Sequence, residues 1–282
     1  MVDSWRIRLA FAGLHPDRVR GLVDRFGSPR AVARAIERGK IETPDRAREA
    51  VSVDPKQRVA EMRKMGVSML VRGVDGYPER LAVFPDAPEV LFVRGTLPIG
   101  SGVAVIGTRR CTSYGKRVAR DYGQALAQAG VVVVSGLARG IDGAAHRGMV
   151  AAGGRGVAVL GSGIDVLYPR EHAKLSGEIV DLGGAIVTEY PPGTPPEGWR
   201  FPPRNRIIAG LAEAVVVVEA AARGGALITA GKALEYGVPV LAVPGDVERD
   251  TSRGCNLLIR DGAHPVLDPE DLLEEVSLLI GY

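Results

Sequence analysis

The feature of this sequence that most constrains its fold is a series of six short apolar runs, each rich in Val, Ile, Leu or Ala. A strand with one solvent-exposed face alternates apolar and polar residues, whereas a strand buried on both faces has an unbroken apolar run. Helical patterns follow several of these runs, for example over residues 115–129 and 225–236. Strands that alternate with helices in this way predict an α/β fold with a doubly wound, mostly parallel sheet. The six runs are Val103–Gly107, Val131–Gly136, Val157–Gly161, Ala185–Glu189, Ala214–Glu219 and Val238–Gly245.

The first 60 residues have a different pattern, which predicts short helices. Apolar residues recur at helical spacing between positions 19 and 26, and a Gly-Ser-Pro sequence at 27–29 then ends one helix and begins the next. Such a pair is typical of a helix-hairpin-helix or SAM-like unit, whose hairpin amides can bind phosphates. A small helical packing domain with a solvated Arg-rich face fits the same pattern. We therefore expect a small all-α domain over residues 1–60 and an α/β domain over residues 61–282.

Charge is distributed unevenly along the chain, although the net charge is only +3. Residues 1–66 carry 15 basic and 9 acidic side chains, residues 100–210 carry 13 and 8, and residues 211–282 carry 5 and 12. The two basic blocks are compatible with an anionic partner. Arg supplies 30 of the 36 basic residues, and its planar guanidinium group suits phosphates and bases. We expect the acidic block to lie on the back of the sheet or at a dimer surface.

Composition argues against several other classes of protein. With 46% hydrophobic and 24% charged residues, the chain can bury a core, and no apolar run is long enough for a transmembrane helix. Cys111 and Cys255 are too few for a disulfide framework, and the four His residues show no metal-ligand spacing. A G-x-G-x-x-G dinucleotide fingerprint is missing. We expect a soluble, cytoplasmic protein with no membrane partner, no metal and no cofactor.

The loops that follow the first three apolar runs are rich in Gly and Arg. Ligands of an open parallel sheet bind beyond the carboxyl ends of its strands, where Gly allows backbone amides to approach. After the first run, Ser113 is placed to cap a helix whose amides would face the ligand. These loops suit phosphate oxygens. The candidate contacts are Gly107, Thr108, Arg109, Arg110, Ser113, Gly136, Arg139 and Gly163.

A second cluster of aromatic and cationic side chains covers residues 199–206, Trp-Arg-Phe-Pro-Pro-Arg-Asn-Arg. Because prolines disfavour a helix, this sequence predicts an extended loop that presents Phe201 and delays any helix until Arg204. Rings beside guanidinium groups suit a single nucleic-acid strand, which requires base stacking and phosphate pairing. The alternative is a core Phe with arginines at a helix N-terminus, where the helix dipole disfavours them. The candidates in this cluster are Arg200, Phe201, Arg204, Asn205 and Arg206.

The ordered motifs between about residues 66 and 263 resemble the DNA-processing protein A (DprA/Smf) family, and residues 1–60 resemble its N-terminal helical domain more weakly. Thr108 replaces a Ser of the family's Gly-Ser-Arg motif, and Gly224 replaces the Ser of a Ser-Gly pair. The motifs that carry the resemblance include Val105–Arg109, Ser135–His146, Phe201–Leu211, Pro244–Gly245 and Gly254–Ile259.

The resemblance implies an extended Rossmann-like fold and a non-catalytic, homodimeric protein that binds single-stranded DNA. It also implies a role in natural transformation, in which the protein protects incoming strands and helps to load the RecA recombinase onto them. Thr229 falls on a Thr-Ala pair of the family and Asn256 lies in a matching segment, so both join the candidate DNA contacts.

These residues suggest a binding mechanism for a DNA strand. We expect Arg109, with help from Arg110, Arg139 and the basic segment 200–206, to pair with phosphates. Backbone amides would line the path of the strand, and Phe201 would stack on a base. The amides belong to Gly107, Gly136 and Gly163.

Two other functions remain open at this stage. The same type of sheet resembles that of nucleoside-monophosphate phosphoribohydrolases, although residues 223–229 lack the Gly-Thr pair of their motif and Glu235 follows only six residues after Thr229. A mononucleotide-sensing scaffold would bind a nucleotide without any preference for strands. Asp142 and His146 stand four residues apart on a predicted helix and could pair, more often as a structural contact than a catalytic one.

Overall fold

The computed structural model describes residues 4–280 of the chain. Residues 4–64 form five short helices, which pack around an apolar cluster that includes Leu9, Val32 and Ile36. These helices agree with the pattern expected for this segment, whereas the domain boundary at residue 60 stays a prediction. The helices are α1 (Ser4–Ala10), α2 (Pro16–Phe26), α3 (Pro29–Glu37), α4 (Asp45–Ser52) and α5 (Pro55–Lys64).

The turn between α2 and α3 has the geometry expected of its Gly-Ser-Pro sequence. Gly27 ends α2 in the left-handed conformation (φ 79°), which a residue without Cβ adopts at little cost. The Ser28 hydroxyl accepts a hydrogen bond from the backbone N–H of Ala31 at 3.2 Å, and Pro29 lies in the first turn of α3. Local sequence alone therefore defines this helical pair.

A nine-stranded mixed sheet forms the centre of the described part of the chain, in the order β1-β2-β6-β5-β4-β3-β7-β8-β9. The pairs β1–β2 and β2–β6 are antiparallel, and all other neighbours are parallel. The predicted α/β class with a mostly parallel sheet is thus confirmed. The strands are β1 (Val67–Val71), β2 (Val90–Gly95), β3 (Gly102–Ile106), β4 (Val132–Ser135), β5 (Gly156–Val159), β6 (Ala185–Thr188), β7 (Ala214–Val217), β8 (Val240–Ala242) and β9 (His264–Pro265).

The unbroken apolar runs are explained by the two apolar layers that cover the sheet. All five residues of β3 are buried. Val103 and Val105 pack into one layer, together with Tyr122 and other helical residues, whereas Ala104 and Ile106 pack into the layer on the opposite face. Because both faces of the strand are covered, no polar residue alternates with the apolar ones.

Eight further α-helices, seven of them after β2, and two 3₁₀ turns, Arg170–His172 and Gly198–Arg200, complete the described chain. No helix in residues 4–280 is long and apolar enough to cross a membrane. The helices are α6 (Glu79–Ala82), α7 (Ser113–Gln128), α8 (Ile141–Ala151), α9 (Ala173–Asp181), α10 (Phe201–Leu211), α11 (Gly225–Glu235), α12 (Asp250–Arg260) and α13 (Pro269–Ile280).

The structure corrects two local predictions at helix N-termini. The side chain that caps α7 belongs to Thr112, whose hydroxyl accepts a hydrogen bond from the N–H of Gly115 at 3.0 Å, while Ser113 is the first helical residue. The expected extended loop after Phe201 is wrong, because α10 begins at Phe201 itself. Both prolines lie in the first turn of α10, where backbone N–H groups lack intrahelical partners and Pro is tolerated.

The chain order reverses at β3. From β3 the chain continues through β4, β5 and β6 on one side, and it then returns to β7 and β8 on the other side. In such sheets, the crevice beyond the carboxyl ends of the strands at the reversal is the usual place for a ligand. The loops after β3 and β7 therefore frame the candidate site.

Candidate nucleic-acid interface

An open groove of about 670 Å³ lies at this reversal point. Its walls come from the loops after β3 and β7 and from the first turns of α10 and α11. Arg109, Arg110 and Arg223 line the groove, and none of the three forms an ion pair with the rest of residues 4–280. The groove therefore carries positive charge that the protein leaves uncompensated, which suits an anionic ligand.

Aromatic rings and guanidinium groups alternate along one wall of the groove. The guanidinium carbon of Arg109 lies 4.6 Å from the ring centroid of Phe201, and the centroids of the Tyr168 and Phe201 rings are 5.9 Å apart. The guanidinium carbon of Arg139 lies 5.8 Å from the Tyr168 ring. This arrangement provides both stacking surfaces for bases and cations for phosphates.

The loop that carries Arg109 is held from the β7 side by Glu219. The Glu219 carbonyl accepts a hydrogen bond from the N–H of Thr108 at 2.7 Å. Its carboxylate, which is buried, accepts bonds from the backbone N–H and the hydroxyl of Thr112 at 2.8 and 2.6 Å. A carboxylate at the N-terminus of α7 is also favoured by the helix dipole.

The same loop is held from the α8 side by close backbone packing. Gly140, at the N-terminus of α8, has a φ of 77°, and a Cβ there would lie only 2.3 Å from the carbonyl oxygen of Thr108. The absence of a side chain at Gly140 lets the two loops touch. Glu219 and Gly140 together fix the position from which Arg109 projects.

Arg204 joins the loops that follow β4 and β5. Its side chain is buried, and one guanidinium nitrogen donates hydrogen bonds to the carbonyl oxygens of Gly136, at 2.8 Å, and Val159. The Gly136 N–H in turn donates to the Asp142 carboxylate at 3.2 Å. Burial lowers the pKa of Arg204 to about 10, which leaves it charged at neutral pH, and burial raises the pKa of Asp142 against the opposing effect of the Arg204 charge. Arg204 borders the groove, but its described hydrogen bonds are all to the protein.

The structure places Arg200 and Arg206 outside the groove, contrary to the expected basic loop over residues 200–206. Arg206 is buried, and its guanidinium lies 2.6 Å from the Glu189 carboxylate. Arg200 is buried as well, donates to the Pro195 carbonyl and pairs with Glu197 at 3.2 Å. Arg206 lies on α10 and Arg200 ends the 3₁₀ turn Gly198–Arg200 that precedes it, and in both positions the side chain is directed into the protein.

The candidate residues on α10 and α11 partly line the groove. Asn205 and Thr229 are on its wall, and both side chains donate to the Gly225 carbonyl at 3.3 Å. Gly163 and Asn256 are not on the wall. The Gly163 N–H donates to the Thr194 carbonyl, and the Asn256 amide exchanges two hydrogen bonds with the Gly245 backbone.

The candidates after β4 line a smaller pocket of about 200 Å³, which shares Arg109, Arg110 and Phe201 with the groove. Gly136 and Arg139 belong to this pocket. Arg139 forms an exposed ion pair with Glu171 at 2.7 Å, so part of its charge is already neutralised. The pocket extends the groove along the ends of β4 and β5.

Tyr168 and Arg223 line the groove but were absent from the sequence-based candidates. Arg223 follows β7 and precedes two glycines, which is the same strand, Arg and Gly pattern that singled out the other loops. For Tyr168 no local signal exists, because only the fold brings the chain after β5 back to Phe201.

The proposed pairing of Asp142 with His146 does not occur. Asp142 accepts its hydrogen bond from Gly136, and neither ring nitrogen of the fully buried His146 has a hydrogen-bond partner in the described chain. Burial lowers the pKa of His146 to about 3. Within residues 4–280, no cluster of three or more His, Cys, Asp or Glu side chains could hold a metal ion.

Comparison with known sequences identifies relatives over most of the chain. The family model described as DNA recombination-mediator protein A matches residues 68–277. Protein Smf from Escherichia coli (strain K12) is 45% identical over 203 residues, which cover 71% of this chain and 54% of that protein. DNA processing protein DprA from Bacillus subtilis (strain 168) is 38% identical over 221 residues, which cover 77% and 74%. The match therefore spans only about half the length of the E. coli relative.

Comparison with solved structures shows the same architecture. The X-ray structure of DNA processing protein A from Streptococcus pneumoniae has a TM-score of 0.77 and 32% identity, with 98% of this chain and 99% of that chain covered. The protein of the same name from Helicobacter pylori, whose structure is described for its unique single-stranded DNA binding mode, has a TM-score of 0.66 and 26% identity over 74% and 95%. The matching motifs, family model and fold lead to one conclusion: this chain belongs to the DNA recombination-mediator protein A (DprA/Smf) family.

Proposed function

We propose that this protein binds single-stranded DNA in the groove at the carboxyl ends of β3 and β7. The observation that carries the proposal is the Arg109 guanidinium carbon 4.6 Å from the centroid of the Phe201 ring, in a groove where Arg109, Arg110 and Arg223 form no ion pair with the described residues. A phosphate would pair with Arg109 while the adjacent base stacks on Phe201. The H. pylori relative with a single-stranded DNA binding mode supports this assignment.

The groove favours an unpaired strand over a duplex. Bases in a duplex already stack on each other, so their faces are not available to Phe201 or Tyr168. A single strand can turn its bases onto these rings and keep its phosphates near Arg109. We therefore expect binding with little sequence preference and with a strong dependence on salt.

We propose a binding function rather than catalysis. Asp142, the one acidic residue among the described residues that line the groove, is buried and accepts from the Gly136 N–H, and the Glu219 carboxylate behind the Arg109 loop accepts twice from Thr112. A general base must reach a substrate or a water with a free oxygen. The fixed carboxylates therefore favour a binding role over hydrolysis of a nucleoside monophosphate.

We extend the proposal to natural transformation in the cytoplasm. A protein that covers single strands without sequence preference can protect incoming DNA, and it can then deliver that DNA to the RecA recombinase. Assembly of RecA on strands already coated by a competing single-strand binder tests this role. Addition of the protein is expected to shorten the lag of assembly, and an unchanged lag would contradict it.

We also propose that the protein is a homodimer that associates through the acidic block at residues 211–282. The short strand β9 lies at the edge of the sheet, and Leu267 beside it is 68% exposed. Leu278 on α13 is 82% exposed. Exposed apolar residues beside a sheet edge are typical of a protein interface. Light scattering is expected to give the mass of two chains, and a strict monomer at micromolar concentration would contradict the dimer.

The binding function is tested by affinity for single-stranded and duplex DNA of equal length and sequence. Fluorescence anisotropy of a labelled oligonucleotide provides the dissociation constants. We expect the single strand to bind at least about tenfold more tightly, since stacking on one ring contributes about 1–3 kcal/mol. Equal affinity for the two forms, or release of free base from nucleoside monophosphates, would contradict the proposal.

A further inference from the structure

A second pair of rings lies outside the groove, at the junction with the N-terminal helices. Trp199 stands two residues before Phe201 and is 40% exposed. The His15 ring, at the N-terminus of α2, lies 5.1 Å from the Trp199 ring between centroids, with 31° between the ring planes. The two rings thus connect the segment that carries Phe201 to the helices of residues 4–64.

Trp199 is held in a fixed orientation. Its indole N–H donates to the Glu197 carboxylate at 2.7 Å, and the guanidinium carbon of the buried Arg200 lies 4.2 Å from its ring. The Tyr190 ring packs edge-on against it at 6.3 Å. An indole that is rigidly supported but still 40% exposed leaves apolar surface in water at a free-energy cost, which contact with a planar ligand would recover.

The N-terminal helices beyond this ring pair are strongly basic. Residues 4–64 contain 15 Lys and Arg side chains against 8 Asp and Glu. Arg30 and Arg34 on α3 are exposed and lie 5.9 and 5.7 Å from the Trp5 ring, and neither has a carboxylate partner among the described residues. A polyanion that leaves the groove past Trp199 therefore meets further positive charge.

We propose that Trp199 and His15 form a second base-stacking platform, over which the bound single strand passes from the groove to the basic N-terminal helices. The proposal rests on the function proposed above, because it concerns the same strand. Rings recur along this path, from Tyr168 and Phe201 to Trp199, so unpaired bases can continue to stack beyond the groove. The Arg200 guanidinium at the Trp199 ring is buried and paired with Glu197, so the cations for this part of the strand are those of the N-terminal helices. The platform makes binding depend on the length of the strand.

Tryptophan fluorescence tests the platform directly, because the chain contains only two Trp residues. In the Trp5→Phe variant, Trp199 is the only fluorophore of this type. Oligothymidylates from about 4 to about 16 nucleotides span the usual range of single-strand site sizes. We expect the longer oligonucleotides to quench Trp199 emission, and the shortest ones that saturate the groove, as measured by anisotropy, to leave it unchanged. Unchanged emission at saturation with the longest oligonucleotide would overturn the proposal.

Affinity measurements provide a second test that does not alter the segment before Phe201. In His15→Ala the groove is intact, so we expect an affinity loss of about fivefold or more for long oligonucleotides and no loss for short ones. Ile99→Ala, which shortens a side chain that is 91% exposed in the segment before β3 and outside the groove, is the control and should change neither. An equal loss for short and long strands, or no loss for either, would overturn the platform. If no oligonucleotide binds the unmodified protein, the function proposed for the groove itself fails instead.

Discussion

Arg204 donates a hydrogen bond to the main-chain carbonyl of Gly136 at 2.8 Å, so a buried residue of α10 fixes the loop that follows β4. The same guanidinium reaches the carbonyl of Val159 at the end of β5. Arg204 therefore fixes the loops after β4 and β5 beside the groove that Arg109 also lines.

Removal of the Arg204 side chain is expected to destabilise the protein. Arg204→Ala leaves the Gly136 and Val159 carbonyls without their donor and removes the positive charge that acts on the buried Asp142 carboxylate, which costs about 1–3 kcal/mol for each buried acceptor left unsatisfied. Urea unfolding measures this loss. The control Arg260→Ala removes a guanidinium that is 70% exposed and should stay within about 0.5 kcal/mol of the unmodified protein. A fully stable Arg204→Ala protein that loses only DNA affinity would show that Arg204 is a ligand contact instead.

Two glycines with positive φ differ in how closely other atoms pack against them. Gly140 has φ 77° and ψ −128° and Gly153 has φ 68°, so Ala strains the backbone at both positions. Only at Gly140 would the new Cβ meet the Thr108 carbonyl, at 2.3 Å, whereas nothing lies within 4 Å at Gly153. We expect Gly140→Ala to weaken single-strand binding, because the loop that carries Arg109 must move, and Gly153→Ala to leave it unchanged. Equal affinities in an anisotropy titration would contradict this account of the loop.

The ring of Phe201 is expected to contribute through stacking. Phe201→Leu retains an apolar side chain but removes the planar ring, and it should weaken single-strand binding by about 1–3 kcal/mol, or about 5- to 150-fold. Phe84→Leu is the matched control, since Phe84 stacks on Tyr236 outside the groove. Loss of affinity in the control alone would contradict the assignment of the groove.

The buried His146 predicts a pH dependence of stability. Its pKa is lowered to about 3 in the folded protein, so it stays neutral there, while the same residue in the unfolded chain binds a proton below pH about 6.5. The free energy of unfolding therefore falls as the pH drops below about 6.5, by about 2 kcal/mol between pH about 7.5 and about 5. Met does not titrate, so the free energy of unfolding of His146→Met, measured with urea at the two pH values, should fall by about 2 kcal/mol less than that of the unmodified protein. An identical pH dependence in the two proteins would contradict the burial of a neutral His146.

The strands of the sheet could be predicted from sequence because their cause is local. Each of the six apolar runs contains a strand, since burial on both faces leaves an unbroken run within a single segment. Strand β9 has only two residues, too few for any period to be detected. The antiparallel edge formed by β1 and β2 depends on pairing between separate segments, which no single run reveals.

The site was predicted less completely, because side-chain direction depends on distant partners. The sequence predicts that Arg206 contacts phosphate, but its side chain pairs with Glu189, which is 17 residues earlier in the chain. The start of α10 is not evident from sequence, because Pro202 and Pro203 disfavour the interior of a helix but fit its first turn. By contrast, Arg109 and Phe201 are both sequence-based candidates, and the fold brings the Arg109 guanidinium carbon within 4.6 Å of the Phe201 ring centroid.

The most direct test of the central claim is the salt dependence of single-strand affinity in Arg109→Ala. Each phosphate contact on a single strand contributes about 0.7 to the slope of log affinity against log salt. We predict that Arg109→Ala binds more weakly at low salt and that its slope is shallower by about 0.7, while Arg260→Ala matches the unmodified protein. If Arg109→Ala retains both the affinity and the slope of the unmodified protein, then the groove at the ends of β3 and β7 is not the place where the strand binds.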